Sequence, residues 1–404
     1  MVARFDAALF RLFKQTNRRM VLAANSRFPS CPAHASIAAN MKHLLRLTFL
    51  FACTLSGFAQ KGGPLISPEI QSDHSIVFRL RAPKAQAVQL RGQWDKQQIE
   101  MTKDADNVWS ITVPDVKPGV WEYSFIVDGL TMVDPLNPAL KPQRNPSASI
   151  LHIPSTPLNV WDFQDVPHGT VHQHTYLSKA LGKQRSAWVY TPPGYEADAK
   201  TKYPLFVLQH GSGDRHETWV VHGKANWILD NLIAAGKAKP MIILMLDGHP
   251  LGQVPREMAD KRGESLKAFK NELFDDGIPL VESHYRVSPE REQRAIAGLS
   301  MGGWQSLSIG TTNLDRFAWV GSFSGAVDEN EIKPALDNAA GTNAKLKLLW
   351  IACGEKDFLL ERNNQLITTL KSCGINHEWR LTPGDHSWPI WRNYLAEFAP
   401  KLFR

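Results

Sequence analysis

The stretch AIAGLSMGGWQS, residues 295–306, decides the fold of this chain. An apolar run leads to Ser300, which stands between Gly298 and Gly302 in the pattern G-x-S-x-G, and a helix-like pattern follows. A strand that turns sharply into a helix needs small residues beside the turn, because larger side chains there would collide with the neighbouring strand and helix. Such a turn leaves the serine hydroxyl exposed. The stretch therefore predicts a nucleophilic serine rather than a small residue in an ordinary turn.

The segments around this turn predict an α/β architecture from about residue 160 to residue 404. Continuous apolar runs, such as YPLFVLQHG (203–211) and MIILMLDG (241–248), alternate with longer amphipathic segments. Apolar strands joined by helical crossovers indicate a parallel sheet that is covered on both faces. Functional loops lie at the carboxyl ends of the strands in such a sheet. We predict an α/β-hydrolase fold over residues 160–404.

A serine is a poor nucleophile until a histidine accepts its proton, and in this fold the chain order is serine, acid, histidine. After Ser300 the sequence contains only two histidines, His377 and His386. His377 opens a predicted strand, whereas His386 follows that strand and so lies at the end where the serine sits. His386 is therefore the predicted base. The preceding strand ends in GEKD, which offers Asp357 as the acid, with Glu355 as the second choice.

The loop LQHGSGD, residues 208–214, follows an earlier predicted strand and should complete the site. A backbone N–H of Gly211 or Ser212 can point toward a developing oxyanion, as can the N–H of Met301 at the start of a helix. We predict an oxyanion hole from these groups. His210 has two open interpretations: a second histidine that contacts substrate, or a residue that shapes the loop.

The net charge of +7 is concentrated near the start of the chain. Residues 1–60 hold eight lysines and arginines against one acid, so the remainder is formally neutral and gives no case for binding nucleic acid. MKHLLRLTFLFACTLSGFAQ, residues 41–60, has a basic start, an apolar centre and small residues at its end. This pattern predicts a signal peptide, with residues 1–40 an over-extended N-terminus.

The predicted signal peptide implies a secreted or periplasmic protein without a membrane span in the mature chain, because the apolar run is short for a bilayer. A lipoprotein signal at Cys53 is the less favoured alternative, since the residues before it fit that pattern poorly.

Residues 66–153 show the pattern of a small β-sandwich. Short alternating segments, such as SIVFRLRAP (75–83) and VWSITV (108–113), are separated by turn signals. The segments FRLRAPKAQAVQL, VWSITV, WEYSFIVDG and DPLNP resemble immunoglobulin-like modules related to family-48 carbohydrate-binding modules. Aromatic residues on its strands could stack on sugar rings, although aromatic residues in such positions more often belong to the core. The candidates are Trp94, Trp109, Trp121 and Tyr123, of which Trp94 is the expected exposed ring.

The histidines of HGTVHQH, residues 168–174, lack a Cys or carboxylate that would complete a recognisable metal-ligand set. The chain also contains no glycine-rich phosphate loop and no dinucleotide-binding fingerprint. We therefore predict neither a metal nor a cofactor.

The segments RSAWVYTPPGY, LQHGSGD, AIAGLSMGGWQSL and GDHSWPIWRNYL, in this order, resemble the feruloyl and acetyl-xylan esterases of carbohydrate esterase family one. The resemblance covers residues 165–404 and implies the same three catalytic residues, Ser300, Asp357 and His386. It also implies that Trp388 and Trp391 line the substrate cleft. One departure is Asp214, because many members read His-Gly-x-Gly-Gly and have glycine at that position.

The resemblance implies hydrolysis of feruloyl or acetyl esters on a plant polysaccharide such as xylan, with an acylated oligo- or polysaccharide as the partner. Two alternatives stay open. Enterochelin-type siderophore esterases share the fold and an N-terminal β domain, and a basic cluster at the pocket would favour them. A non-catalytic or acyltransferase relative that binds glycans is the other alternative.

Overall fold

The computed structural model describes residues 64–95, 97–253 and 258–404, which belong to one compact unit. The predicted signal peptide at 41–60, the segment 1–40 and Cys53 lie outside the described residues.

The N-terminal part of the described chain is a β-sandwich, hereafter the β-module. Its strands are β1 (Glu69–Ile70), β2 (Ile76–Arg81), β3 (Val88–Gly92), β4 (Gln98–Glu100), β5 (Thr102–Lys103), β6 (Val108–Val113), β7 (Gly119–Val127), β8 (Leu130–Met132) and β9 (Ser149–Ile153). One sheet has the order β1-β2-β6-β5; in the other, β7 pairs with β3, β8 and β9, and β4 joins β3. Alternate residues of β2 point into the core between the sheets, as the period-two pattern predicts.

The aromatic residues of the β-module pack into its core rather than form an exposed platform. Trp109 and Tyr123 are buried. Trp121 is half-buried, and its indole N–H donates to the carbonyl of Lys117. Trp94 stacks on Phe78 with ring centroids 5.7 Å apart. The expectation that Trp94 is an exposed ring is therefore wrong, because it folds back against Gly92 and the core.

The rest of the described chain forms an eight-stranded mixed sheet. Its strands are β10 (Thr170–Ser178), β11 (Lys183–Thr191), β12 (Leu205–Gln209), β13 (Ile242–Leu246), β14 (Arg294–Leu299), β15 (Trp319–Phe323), β16 (Leu348–Gly354) and β17 (Glu378–Thr382). The order is β10-β11-β13-β12-β14-β15-β16-β17. All pairs from β13 onward in this order are parallel, whereas β10 and β11 add an antiparallel edge that the pattern of apolar runs did not reveal.

Helices cover both faces of this sheet. They are α1 (Thr218–Val221), α2 (Ala225–Ala234), α3 (Ala259–Glu272), α4 (Ile278–His284), α5 (Met301–Thr312), α6 (Glu329–Asp337), α7 (Ala339–Lys345), α8 (Leu360–Ser372) and α9 (Trp388–Phe398). The apolar strands therefore contribute to two cores, one on each face. Because β12 and β14 to β17 run parallel, their carboxyl ends bring the predicted loops to one edge of the sheet.

Candidate active site

Ser300 occupies the turn between β14 and α5. Its backbone has φ 51° and ψ −113°, a conformation that residues other than glycine rarely adopt. A Cβ at Gly298 would lie 2.7 Å from the carbonyl oxygen of Gln209, and one at Gly302 would lie 2.6 Å from that same oxygen. The glycines are thus required by close backbone approach, as the motif predicts. The Ser300 N–H donates to the carbonyl of Phe323 at 2.8 Å and holds the turn.

Ser300, His386 and Asp357 form a continuous chain of hydrogen bonds. His386 Nε2 lies 2.9 Å from Ser300 Oγ, and His386 Nδ1 lies 2.9 Å from each carboxylate oxygen of Asp357. The three residues follow β14, β16 and β17 at one edge of the sheet. The structure therefore brings together the residues predicted as nucleophile, acid and base.

Asp357 is held as a carboxylate in a buried position. Burial raises its pKa, but hydrogen bonds from His386, from the Leu359 N–H at 2.8 Å and from Ser324 outweigh that effect. The net result is a pKa below the ordinary aspartate value. An ionised Asp357 can keep the proton of His386 on Nδ1, which leaves Nε2 free to accept from the serine.

The other acidic and histidine candidates lie elsewhere. Glu355 is exposed to solvent, and Asp385 bonds to the hydroxyl of Ser387. His377 stands before β17, where its Nδ1 lies 2.8 Å from the carbonyl oxygen of Ile375. In the part of the chain that the structure describes, none of these three side chains hydrogen-bonds to Ser300, His386 or Asp357.

Two aromatic rings enclose the imidazole of His386. Phe358 lies 4.3 Å and Trp391 lies 4.9 Å from it, measured between ring centroids. The indole N–H of Trp391 donates to Ser324 Oγ at 3.1 Å, and Ser324 in turn bonds to Asp357. Trp391 therefore supports the histidine and the acid from the protein side.

The expectation that Trp388 and Trp391 line the substrate cleft is not met. Trp388 is 2% exposed and packs edge-on against Trp219 at 4.9 Å, and Trp391 is 6% exposed. Both lie on the face of α9 that meets the core, where burial stabilises the helix.

The loop of residues 210–218, hereafter the oxyanion loop, lies beside the serine. A Cβ on Gly211 would lie 3.5 Å from the Cβ of Ser300, and Ser212 and Met301 line the same cavity as Ser300. The predicted oxyanion donors therefore meet the nucleophile at one place. Gly213, at φ +82°, gives the loop a turn that favours glycine.

His210 shapes the oxyanion loop. The side chain is 1% exposed, its Nε2 accepts from the Gly248 N–H at 2.9 Å, and its Nδ1 donates to the Gly211 carbonyl at 2.8 Å. The interpretation of His210 as a substrate contact is therefore wrong.

A cavity of about 420 Å³ opens over Ser300. Its charged lining side chains are Arg262 from α3 and Arg362 from α8, and no carboxylate lines it among the described residues. Burial lowers the pKa of His249, another lining residue, to about 4, so it is neutral at pH 7. The remaining lining residues are Ser212, Ser265, Met301, Trp304, Gln305, Ala326, Phe358 and Leu359.

The two arginines are the site residues that sequence reasoning missed. Arg262 lies over the ring of Trp304, with its guanidinium carbon 4.7 Å from the ring centroid. The sequence contains only a weak indication that they belong to the site: both arginines lie near the start of a helix, and these helices follow β13 and β16.

The histidines of HGTVHQH bond to neutral partners or to single acids. His172 Nε2 lies 3.0 Å from the hydroxyl of Thr191, and His174 Nε2 lies 2.6 Å from that of Tyr285. Residues 64–95, 97–253 and 258–404 contain no group of three or more His, Cys, Asp or Glu that could hold a metal ion. In the same ranges, no helix combines the length and the apolar character that a bilayer crossing requires.

A strand-turn-helix serine at the carboxyl edge of a mostly parallel sheet, bonded to a histidine from a later loop, defines the class of α/β-hydrolases. Residues 178–402 match the family described as putative esterase, and residues 65–136 match carbohydrate-binding module 48, the isoamylase N-terminal domain. The chain therefore belongs to this esterase family and carries an N-terminal module that matches carbohydrate-binding module 48.

Individual relatives agree with this family. The endo-1,4-beta-xylanase/feruloyl esterase of Xylanibacter ruminicola is 31% identical over 83% of this chain, and the chain spans 46% of that protein. The iron(III) enterobactin esterase of Escherichia coli is 24% identical over 76% of each chain.

Solved structures give the same fold. The ferulic acid esterase of Anaeromyces mucronatus, described as a member of carbohydrate esterase family one, is 26% identical. It covers 60% of this chain and 93% of its own, with a TM-score of 0.53. The enterobactin esterase of Shigella flexneri, 20% identical, covers 81% of this chain and 93% of its own with a TM-score of 0.58, which shows likeness of fold alone.

Proposed function

We propose that this protein is a serine carbohydrate esterase that removes feruloyl or acetyl groups from a plant cell-wall polysaccharide such as xylan. The observation that carries the proposal is the hydrogen-bond chain from Ser300 through His386 to Asp357, with each step at 2.9 Å. The similarity to the Xylanibacter and Anaeromyces proteins, both described as feruloyl or ferulic acid esterases, supports the acyl class.

The proposed reaction proceeds through an acyl-enzyme. Ser300 Oγ attacks the ester carbonyl while His386 Nε2 accepts its proton, and the new tetrahedral oxyanion accepts hydrogen bonds from the N–H groups of Met301 and of Gly211 or Ser212. His386 then gives the proton to the departing sugar hydroxyl as the bond between carbonyl carbon and alcohol oxygen breaks. Water, activated by His386, attacks the acyl-enzyme and releases the acid and the free serine.

Asp357 stabilises the imidazolium that forms in each half of the reaction. Its depressed pKa keeps it ionised at neutral pH, and its complete burial keeps water from weakening the interaction. The cavity volume of about 420 Å³ lies in the range of small-molecule sites, and Trp304 and Phe358 in its lining offer apolar surface to an acyl group.

We further propose that the protein acts outside the cytoplasm, as a secreted or periplasmic enzyme. The support is the signal-like pattern of residues 41–60 and the size of a polymeric substrate, which must be met outside the cell. Anchoring through Cys53 as a lipoprotein is the less favoured form of this proposal.

One observation favours a second candidate, an enterochelin-type siderophore esterase. Arg262 and Arg362 give the cavity two positive charges without a carboxylate among the described lining residues, which suits an anionic catecholate. The similarity to the enterobactin esterase of Escherichia coli supports this candidate.

The test compares three substrates: an acetyl ester, methyl ferulate and a catecholate ester. We expect hydrolysis of methyl ferulate or the acetyl ester by the full chain, loss of activity in Ser300→Ala and His386→Gln, and near-normal activity in the matched control His377→Gln. Preference for the catecholate ester, lost on Arg262→Gln or Arg362→Gln, would establish the siderophore candidate instead. A folded protein that hydrolyses none of the three would favour a non-catalytic or acyltransferase role.

A further inference from the structure

The β-module reaches the active site through a short stretch of chain between β8 and β9. Residues 141–144, hereafter the connector strip, lie along the oxyanion loop. The Arg144 N–H donates to the Gly213 carbonyl at 2.8 Å, and Gln143 and Asp214 form an isolated antiparallel bridge. The Thr218 hydroxyl donates to the carbonyl of Pro142 at 2.7 Å. The connector strip therefore pairs with the loop almost as an additional strand would.

A buried ion pair fixes this contact. Lys141, with 8% of its side chain exposed, lies 3.5 Å from Asp214 and 2.9 Å from Glu122 of β7. Burial raises the pKa of Asp214, and the charge of Lys141 acts against that rise. A carboxylate buried to this extent is costly without a cation beside it. Lys141 supplies that cation from the β-module.

A second contact holds the other side of the loop. Arg144 Nη1 lies 3.1 Å from Asp247, and the same carboxylate accepts from the His249 N–H at 3.0 Å. His249 Nε2 then accepts from the Gly213 N–H at 3.3 Å. The connector strip thus contacts Gly213 directly through its backbone and indirectly through Asp247 and His249.

These contacts explain the departure at position 214. Family members with the pattern His-Gly-x-Gly-Gly place no side chain there, whereas this chain carries Asp214 and, in the β-module, the lysine that neutralises it. A Cβ on Gly211 would lie 3.7 Å from Asp214 Oδ2, so the carboxylate sits directly against the residue that presents the oxyanion donors.

We propose that the connector strip is a functional part of the esterase: Lys141 is a positioning residue that, through Asp214, holds the oxyanion loop so that the N–H of Gly211 or Ser212 faces the oxyanion. The inference rests on the proposed function for its kinetic consequences, but its structural consequence is independent of any activity. The β-module is thereby assigned a role at the catalytic centre that does not require it to bind sugar.

The kinetic test is Lys141→Met, which keeps an unbranched side chain only one atom shorter and removes the charge. Loss of one oxyanion donor lowers kcat by about 10²–10³-fold in serine hydrolases, so a displaced loop should lower kcat by about 10–100-fold. KM should change little, because the donors act mainly in the transition state. Lys84→Met, at an exposed lysine of the same module, is the matched control and should keep normal kcat.

The rescue test is the double variant Lys141→Met/Asp214→Gly. Glycine at position 214 leaves no buried carboxylate and restores the pattern common in the family, so we expect most of the lost kcat to return. Unchanged kcat in Lys141→Met, or a loss that the double variant fails to recover, would overturn the proposal.

Hydrogen exchange of the backbone amides in residues 208–218 separates this proposal from the function it rests on. We expect faster exchange in Lys141→Met than in the wild type and the Lys84→Met control, with wild-type rates recovered in the double variant. Equal exchange in all of these proteins would overturn the proposal whether or not the wild type hydrolyses esters. Failure of the wild type on every ester would contradict the proposed function alone.

Discussion

The nucleophile turn and the oxyanion loop meet at one cavity but are held in place by different parts of the chain. Ser300 sits in a turn that its own neighbours determine, with Gly298 and Gly302 accepting close backbone contacts. The oxyanion loop depends on the connector strip, and the bond from Thr218 to Pro142 spans 76 positions. One half of the site is thus encoded locally, and the other half by a different module.

The local half should respond most strongly to changes in its chemistry. Asp357→Asn keeps the shape of the side chain but removes its charge and favours the wrong tautomer of His386. We expect kcat to fall by about 10⁴-fold, the size of this effect in other serine hydrolases. The matched control is Asp385→Asn, the neighbouring acid that bonds to Ser387, which should lose little activity in steady-state kinetics with methyl ferulate. A large loss in the control would mean that the acid has been assigned wrongly.

The geometry of the nucleophile turn gives the next largest effect. In Gly302→Ala the new Cβ would lie 2.6 Å from the carbonyl oxygens of both Gln209 and His210, which are backbone atoms and yield little. We expect a free energy of unfolding lower by about 1–3 kcal/mol or more and a kcat lower by at least about 10²-fold. Urea denaturation and steady-state kinetics measure the two effects. Wild-type values for both would show that the turn is less constrained than its close contacts indicate.

The contact between Glu122 of the β-module and His222 should make the free energy of unfolding depend on pH. Burial raises the pKa of Glu122, but His222 and Lys141 outweigh this and hold it at about 2. Burial lowers the pKa of His222 to about 3. In the unfolded chain His222 therefore becomes protonated as the pH falls below 6.5, whereas in the folded chain it stays neutral until about pH 3. The free energy of unfolding therefore falls as the pH falls through this window.

The variant His222→Gln isolates this effect. We expect its free energy of unfolding to fall less steeply than that of the wild type between pH 6.5 and pH 4, as measured by urea denaturation at a series of pH values. Parallel curves for the two proteins would contradict the assignment of His222 as a buried neutral residue.

The smallest expected effect lies in the oxyanion loop itself. A Cβ at Gly213 meets nothing within 4 Å, so Gly213→Ala adds only the strain of a positive φ. We expect a loss of about 1 kcal/mol in the free energy of unfolding, and much less damage than Gly302→Ala causes. Equal destabilisation by the two substitutions, measured by thermal denaturation, would remove the distinction between the turn and the loop.

The same distinction explains what could be predicted from the sequence. Ser300, Asp357 and His386 were predictable because each follows one of the parallel strands of the sheet, and chain order then selects the residues. The antiparallel edge formed by β10 and β11 was not predictable, because apolar periodicity does not report strand direction. The prediction that Trp388 and Trp391 of α9 line the substrate cleft was wrong for a related reason: their spacing does not say which face of the helix meets the core.

Local sequence patterns could not predict the contacts of the oxyanion loop. Asp214 was visible as a departure from a family motif, but its partner Lys141 belongs to a different module and has no local signature. Arg262 and Arg362 come from two helices that only the folded sheet brings to one cavity. Long-range pairs of this kind depend on tertiary packing, which a single sequence does not display.

The central claim is that Ser300 is the nucleophile, and the most direct test is covalent labelling of its hydroxyl. The full chain is treated with a fluorophosphonate, and the site of modification is read by peptide mass spectrometry, beside Ser300→Ala and His386→Gln. The account predicts one adduct per chain on the peptide that contains Ser300, none in Ser300→Ala and slow labelling in His386→Gln. An adduct on another residue, or ester hydrolysis by a chain that takes no label at Ser300, would contradict it.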